Sequence, residues 1–131
     1  MRIMLDTNIL LSALVFNSEK LSKILEYVAE KNTLVLCSYV IDEFNIVIMR
    51  KSLKYKKVLD SFLSKLSFEM VYTPEWQENM PDIRDVKDRP ILASAIISDV
   101  DILLTGDKDF TSLKIERPEI LTPSEFAEQY M

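Results

Sequence analysis

"MRIMLDTNILLSALVF", residues 1–16, starts as a buried strand and ends as an apolar helix, with Asp6, Thr7 and Asn8 at the join. Ile3-Met4-Leu5 is a short, unbroken apolar run, the pattern of a strand covered on both faces. Asp6 stops it. A carboxylate at the end of a buried strand costs free energy unless it finds a partner. Two accounts are open at this point. Asp6 caps the following helix, the commoner role for an aspartate so placed, or it belongs to a site.

The remaining chain alternates in the same way. Periodicity predicts strands over 2–5, 33–37, 68–72 and 101–105, and a last one at "EIL", 119–121. Helices are predicted over 9–16, 19–30, 39–50, 54–66, 89–98 and 123–130, with Ser38 as the N-cap of the third and Pro90 in the first turn of the fifth. Residues 73–87 read as a polar loop and 106–113 as a short turn. The 131 residues suit one domain, 1–131, large enough for a single core. Strands alternating with helices predict a three-layer α/β/α sandwich around a central, mostly parallel sheet of about five strands. Ligands of such sheets bind at the carboxyl ends of the strands.

Composition removes several function classes. There is no histidine, which excludes Ser-His-Asp and Cys-His catalysis, histidine zinc sites and paired-histidine ribonucleases. The one cysteine, Cys37, allows neither an intrachain disulfide nor a cysteine cluster. The one glycine, Gly106, leaves no glycine-rich phosphate loop. Asp6 interrupts what would be the apolar core of a signal peptide, and no apolar run approaches a membrane span. A soluble, cytoplasmic protein is expected. Sixteen basic against twenty-one acidic residues give a net charge of −5, which is not the usual balance of a nucleic-acid binder.

The placement of the acids is more specific. Asp6 ends one predicted strand, and Thr105, Gly106 and Asp107 follow another, with Asp109 close behind in "TGDKDF". On the helix from 39, the stripe Val40, Ile41, Phe44, Val47 and Ile48 centres on Phe44; Asp42 lies about 160° from that centre and Glu43 about 100°, on the stripe's border. Asp42 therefore faces solvent, and Glu43 can overhang the end of the sheet. Extended one turn back, the stripe Ile91, Leu92, Ala95 and Ile96 includes Asp88; Asp85, three residues earlier, is not placed by this argument. Taken singly, Asp6 and Asp88 read as caps, Glu43 as a surface charge and "DKDF" as a turn. Together, four segments bring a carboxylate to one sheet edge. Such a group must bind cations or protons to coexist, and a hard ion such as Mg²⁺ or Mn²⁺ suits all-oxygen ligands.

"MLDTNIL" (4–10), "SYVIDEF" (38–44), "DVKDRPILASAI" (85–96) and "LLTGDKDF" (103–110), in this order, resemble the PIN-domain family over nearly the whole chain. The nearest likeness is to the bacterial and archaeal toxin components related to VapC. The resemblance implies a Mg²⁺- or Mn²⁺-dependent endoribonuclease, the toxin of a toxin–antitoxin pair. It places the family's acids on Asp6, Glu43, Asp88 and Asp107 as catalytic metal ligands. Asn8 and Thr105 fall on supporting polar positions, with Asp109 and Asp85 as auxiliaries. RNA is the implied substrate and an antitoxin on a separate chain the implied partner; a homodimer is left open.

"RKSLKYKK" (50–57) carries Arg50, Lys51, Lys54, Lys56 and Lys57 around Tyr55. Such a segment can grip an RNA backbone and stack a base, or simply be a solvated connection between helices. Two other function classes compete: a non-catalytic PIN-like module that binds RNA or protein, and a receiver-like phosphoacceptor domain. The second normally has adjacent acids after its first strand, where this chain has Asp6-Thr7-Asn8.

Overall fold

The computed structural model describes residues 1–16, 18–51, 56–57, 60–61 and 64–131, without the side chain of Lys51. Five parallel strands form one sheet: β1 (Arg2–Leu5), β2 (Thr33–Cys37), β3 (Glu69–Val71), β4 (Ile102–Leu104) and β5 (Glu119–Leu121). Their order across the sheet is β3-β2-β1-β4-β5. The helices are α1 (Thr7–Leu14), α2 (Glu19–Lys31), α3 (Ser38–Lys51), α4 (Arg89–Ile97), α5 (Lys108–Thr111) and α6 (Pro123–Tyr130), with a 3₁₀ turn at Val86–Asp88 just before α4. Residues 56–57, 60–61 and 64–65 are also helical, within the predicted helix 54–66; its other residues lie outside the described ones.

The three central strands carry no inward–outward alternation because both faces are covered. Ile3, Met4 and Leu5 of β1, Leu34–Cys37 of β2 and Ile102–Leu104 of β4 are all buried. α1 packs on α2 and α3, α2 on α6, and α3 on α4. Phe44 of α3, Phe110 of α5 and Phe126 of α6 plug the spaces between helices and sheet. Thr122 and Glu125 form a reciprocal capping box that starts α6. No helix among the described residues is long and apolar enough to cross a membrane.

Residues 106–113, expected as a short turn, contain the one-turn helix α5, and two of the expected helices start elsewhere, for identifiable reasons. α1 begins at Thr7 rather than residue 9, because the Asp6 carboxylate accepts the Ile9 N–H and fixes the first turn. Ser38 does not cap α3 from outside; it is the helix's first residue, because β2 runs into α3 without a connecting residue. The hydroxyl at that helix start comes from Thr73, 34 residues along: its Oγ1 accepts the Tyr39 N–H at 3.1 Å, while Ser38 Oγ accepts the Thr73 N–H at 3.0 Å.

This topology positions the site. The chain builds one half of the sheet outward from β1 through β2 to β3, then returns to the other side of β1 for β4 and β5. β1 and β4 are the neighbours at which the order reverses, and a crevice opens outside their carboxyl ends. Asp6 follows β1 there and Thr105 follows β4. A receiver-like domain has a different strand order, with the first strand beside the second and third.

Candidate metal centre

The crevice is a cleft of about 350 Å³ whose wall carries Asp6, Asn8, Glu43, Asp85, Asp88 and Asp107. A second hollow of about 340 Å³ shares Asp6, Asn8 and Asp107 with it.

Asp6 is 4% exposed, and each carboxylate oxygen has one protein donor. Oδ1 accepts the Ile9 N–H at 2.9 Å and Oδ2 accepts the Thr105 hydroxyl at 2.5 Å. Asp6 therefore caps α1 and at the same time lines the cleft. Burial pushes its pKa up; the Thr105 and Ile9 hydrogen bonds oppose this, and the nearby charges of Asp107 and Glu43 add to it. Thr105 is fully buried and links two acids, since its Oγ1 also accepts the Asp107 N–H at 3.0 Å. Asp107 in turn caps α5, accepting the Asp109 N–H at 2.8 Å.

Asp88 ends the 3₁₀ turn and immediately precedes α4, but its side chain makes no capping bond. Its Oδ2 is buried with no hydrogen-bond partner. Burial, followed by the charges of Asp107, Asp85, Asp109 and Asp6, pushes its pKa up from 3.8 to about 6. Glu43 is half-buried on α3 and its Oε2 accepts the Tyr39 hydroxyl, one turn back, at 3.3 Å. Asp42 is exposed, as its helical angle requires. Asp85 caps the 3₁₀ turn through Lys87 N–H at 3.0 Å while still lining the cleft.

Electrostatics separate this edge from the opposite end of the sheet. There, Glu69 is forked by Arg2, and Asp99 and Asp101 are paired with Arg117. In the cleft, Asp6, Glu43, Asp85, Asp88 and Asp107 form no ion pair with any cation among the described residues. Asp109 differs: Arg84 holds both of its oxygens, Nε on Oδ1 at 2.9 Å and Nη2 on Oδ2 at 2.8 Å. Asp88, Asp107 and Asp109 each present an oxygen within 4.8 Å of the others'. An all-oxygen donor set, with Asp88 Oδ2 buried and unpartnered, fits a hard divalent ion.

Sequence reasoning passed over Arg84, Lys87 and Thr7. Lys87 is a cation on the cleft wall, and Thr7 Oγ1 is buried there without a hydrogen-bond partner. The signal for both cations is the alternation of acid and base in "DIRDVKD", 82–88. Arg50, Lys56 and Lys57 are exposed, and none of the three lines the cleft. The Lys51 side chain, Lys54 and Tyr55 lie outside the described residues.

Two outcomes follow from this geometry. Asp88 holds a proton more tightly folded than unfolded, so its charge opposes folding fully above its folded pKa and ceases to do so below its unfolded one. Without divalent ions, lowering the pH from about 7 to about 5 is expected to raise the thermal unfolding temperature, and Asp88→Asn to remove most of that rise. An unfolding temperature that is flat or falling over this range in the wild type would contradict the burial of Asp88. Thr105→Val keeps the side chain's shape but leaves Asp6 Oδ2 without its donor and Asp107 N–H without its acceptor. A loss of about 1–3 kcal/mol in stability is expected, read by urea unfolding. An unchanged midpoint would mean that the hydroxyl bridge contributes nothing.

A family model described as PIN domain matches residues 2–109. No curated protein matches the sequence. Among solved structures, the crystal structure of VapBC2 from Rickettsia felis bound to a DNA fragment from their promoter matches with a TM-score of 0.72 at 24% identity, over 93% of this chain and 98% of that one. At that identity the likeness is one of fold.

Proposed function

Because the chain belongs to the PIN-domain family, we propose that it is a divalent-metal-dependent endoribonuclease and the toxin of a toxin–antitoxin pair. The observation that carries this reading is the cleft itself: carboxylates from four separate segments line it without an ion-pair partner among the described residues, and one of them keeps a buried oxygen unpartnered. Asp6, Asp88, Asp107 and Glu43 would hold Mg²⁺ or Mn²⁺. The ion, when bound, supplies Lewis acidity toward the scissile phosphate and a nucleophile at neutral pH.

The chain's own residues do the rest. Thr105 sets the orientation of the Asp6 carboxylate and ties it to the backbone that presents Asp107. Tyr39 holds one oxygen of Glu43. Asn8, exposed at the cleft wall, can donate to a phosphate or a sugar hydroxyl. With no histidine in the chain, proton transfer falls to the carboxylates, to Lys87 on the cleft wall and to solvent.

The net charge of −5 is compatible with this reading, since much of the acidity sits in the cleft, where a divalent ion reverses the local field. The Rickettsia felis structure contains VapBC2 on promoter DNA. By analogy of fold, this chain has an antitoxin partner, and its place of action is the cytoplasm. The test is single-stranded RNA incubated with the protein while Mg²⁺ or Mn²⁺ is titrated, read on a gel. Metal-dependent cleavage that EDTA stops supports the reading. RNA binding without cleavage at any metal concentration would make the chain a non-catalytic module.

A further inference from the structure

Asp107 and Asp109 are two residues apart, and either could serve as the fourth acid. Their surroundings are not alike. Asp107 lines the cleft; Asp109 does not, and both of its oxygens are taken by the fork of Arg84. A divalent ion on the same carboxylate would sit a few ångströms from a guanidinium, an arrangement that like charges oppose. Arg84 is 78% exposed along its side chain, and its Nη1 has no hydrogen-bond partner among the described residues. It lies on the loop that leads into the 3₁₀ turn of Asp88; three residues after it comes Lys87, whose ammonium, on the cleft wall, has no ion pair among the described residues.

We propose that Asp109 is not an ion ligand but the anchor of Arg84, and that Arg84, so held next to the cleft-lining Asp85, binds a phosphate of the RNA flanking the scissile one. The proposal rests on the ribonuclease reading above and adds a substrate-binding residue to it. Arg84 is the group that touches substrate; Asp109 is a positioning residue that acts through it. A planar guanidinium pinned on one edge by a carboxylate loses its rotamer freedom before substrate arrives and presents its remaining N–H groups in a fixed direction. Because the same pair spans the loop before Asp88 and the first turn of α5, it places that phosphate contact at a fixed register from both metal-site segments.

The proposal predicts a sign that simple charge does not. Removing an acid beside an RNA path should, by Coulomb's law alone, tighten RNA binding. If Asp109 anchors Arg84, Asp109→Asn weakens it instead. The experiment measures two quantities for the wild type, Arg84→Ala, Arg84→Lys and Asp109→Asn. The first is affinity for a single-stranded RNA oligonucleotide in EDTA at several salt concentrations. The second is Mn²⁺ affinity by calorimetry without RNA.

Arg84→Ala and Asp109→Asn are expected to weaken RNA binding roughly tenfold. Arg84→Ala should also lower the log–log salt slope by about 0.7, the value for one lost phosphate contact on a single strand. Arg84→Lys, which keeps the charge without the fork, should keep most of the slope and lose part of the affinity. Mn²⁺ affinity should not fall in any of the three. A tenfold loss of Mn²⁺ affinity in Asp109→Asn overturns the proposal by making Asp109 a ligand. RNA binding that ignores both Arg84→Ala and Asp109→Asn overturns it while leaving the ribonuclease reading in place. A wild type that takes up Mn²⁺ but binds no RNA in EDTA at any salt and cleaves none when Mn²⁺ is present overturns both.

Discussion

Asp6→Asn is expected to reduce RNA cleavage by more than about 100-fold, beyond the 10–100-fold typical of losing a mere outer-shell partner of a metal ligand, while the metal-free protein stays folded and becomes no less stable. The two halves of this prediction come from the same contacts. Asp6 is nearly sealed from solvent, and burial pushes its pKa up, so the charged form is held at a cost in the absence of a counter-ion. Asparagine keeps an acceptor oxygen for the Ile9 N–H and so keeps the cap of α1. Its NH₂ group meets the Thr105 oxygen, which has a lone pair left after accepting the Asp107 N–H. Fold and local geometry are thus retained and the anionic ligand is removed. Gel-based cleavage and thermal unfolding of one preparation read both halves. Undiminished cleavage, or an unfolding temperature well below that of the wild type in EDTA, would contradict the account.

The second large effect separates two aspartates three residues apart. Asp88→Asn is expected to be as damaging to cleavage as Asp6→Asn, and Asp85→Asn to cost less than about tenfold, the lower end of the range for an outer partner of a ligand. Asp85 spends an oxygen on the Lys87 N–H and caps a turn, a role asparagine fills almost equally well. Asp88 makes no capping bond, has a buried oxygen without a partner, and has its ionisation opposed by burial and by neighbouring charges. Removing its charge should stabilise the metal-free chain and weaken Mn²⁺ binding together. If Asp85→Asn abolishes cleavage and Asp88→Asn spares it, the third acid has been assigned to the wrong residue.

What could be read from the chain alone depended on how local each cause is. Asp6 was visible because an apolar strand run ends on it, and Glu43 because helical angle separates it from Asp42. Asp88 was visible because the stripe of α4 extends back one turn. Asp85 could not be placed because it lies in the loop before the 3₁₀ turn of Val86–Asp88, outside any helix to which a helical angle applies. The resemblance places the fourth acid on Asp107 with Asp109 as auxiliary, but the fork of Arg84 on Asp109 could not be read from the local pattern, since the two residues are 25 apart in sequence. The cap of α3 was misassigned for the same reason: the hydroxyl on its first turn comes from Thr73, beyond any local window. The strands and their parallel pairing were legible because continuous apolar runs alternating with helices have few other solutions.

The claim that the whole account stands on is that this cleft is a metal centre. Anomalous diffraction from a crystal of the wild-type protein soaked in Mn²⁺ tests it most directly. The account predicts a peak inside the cleft among Asp6, Asp88 and Asp107, absent from Asp6→Asn crystals under the same soak. A wild-type crystal at saturating Mn²⁺ with no peak in the cleft would contradict it.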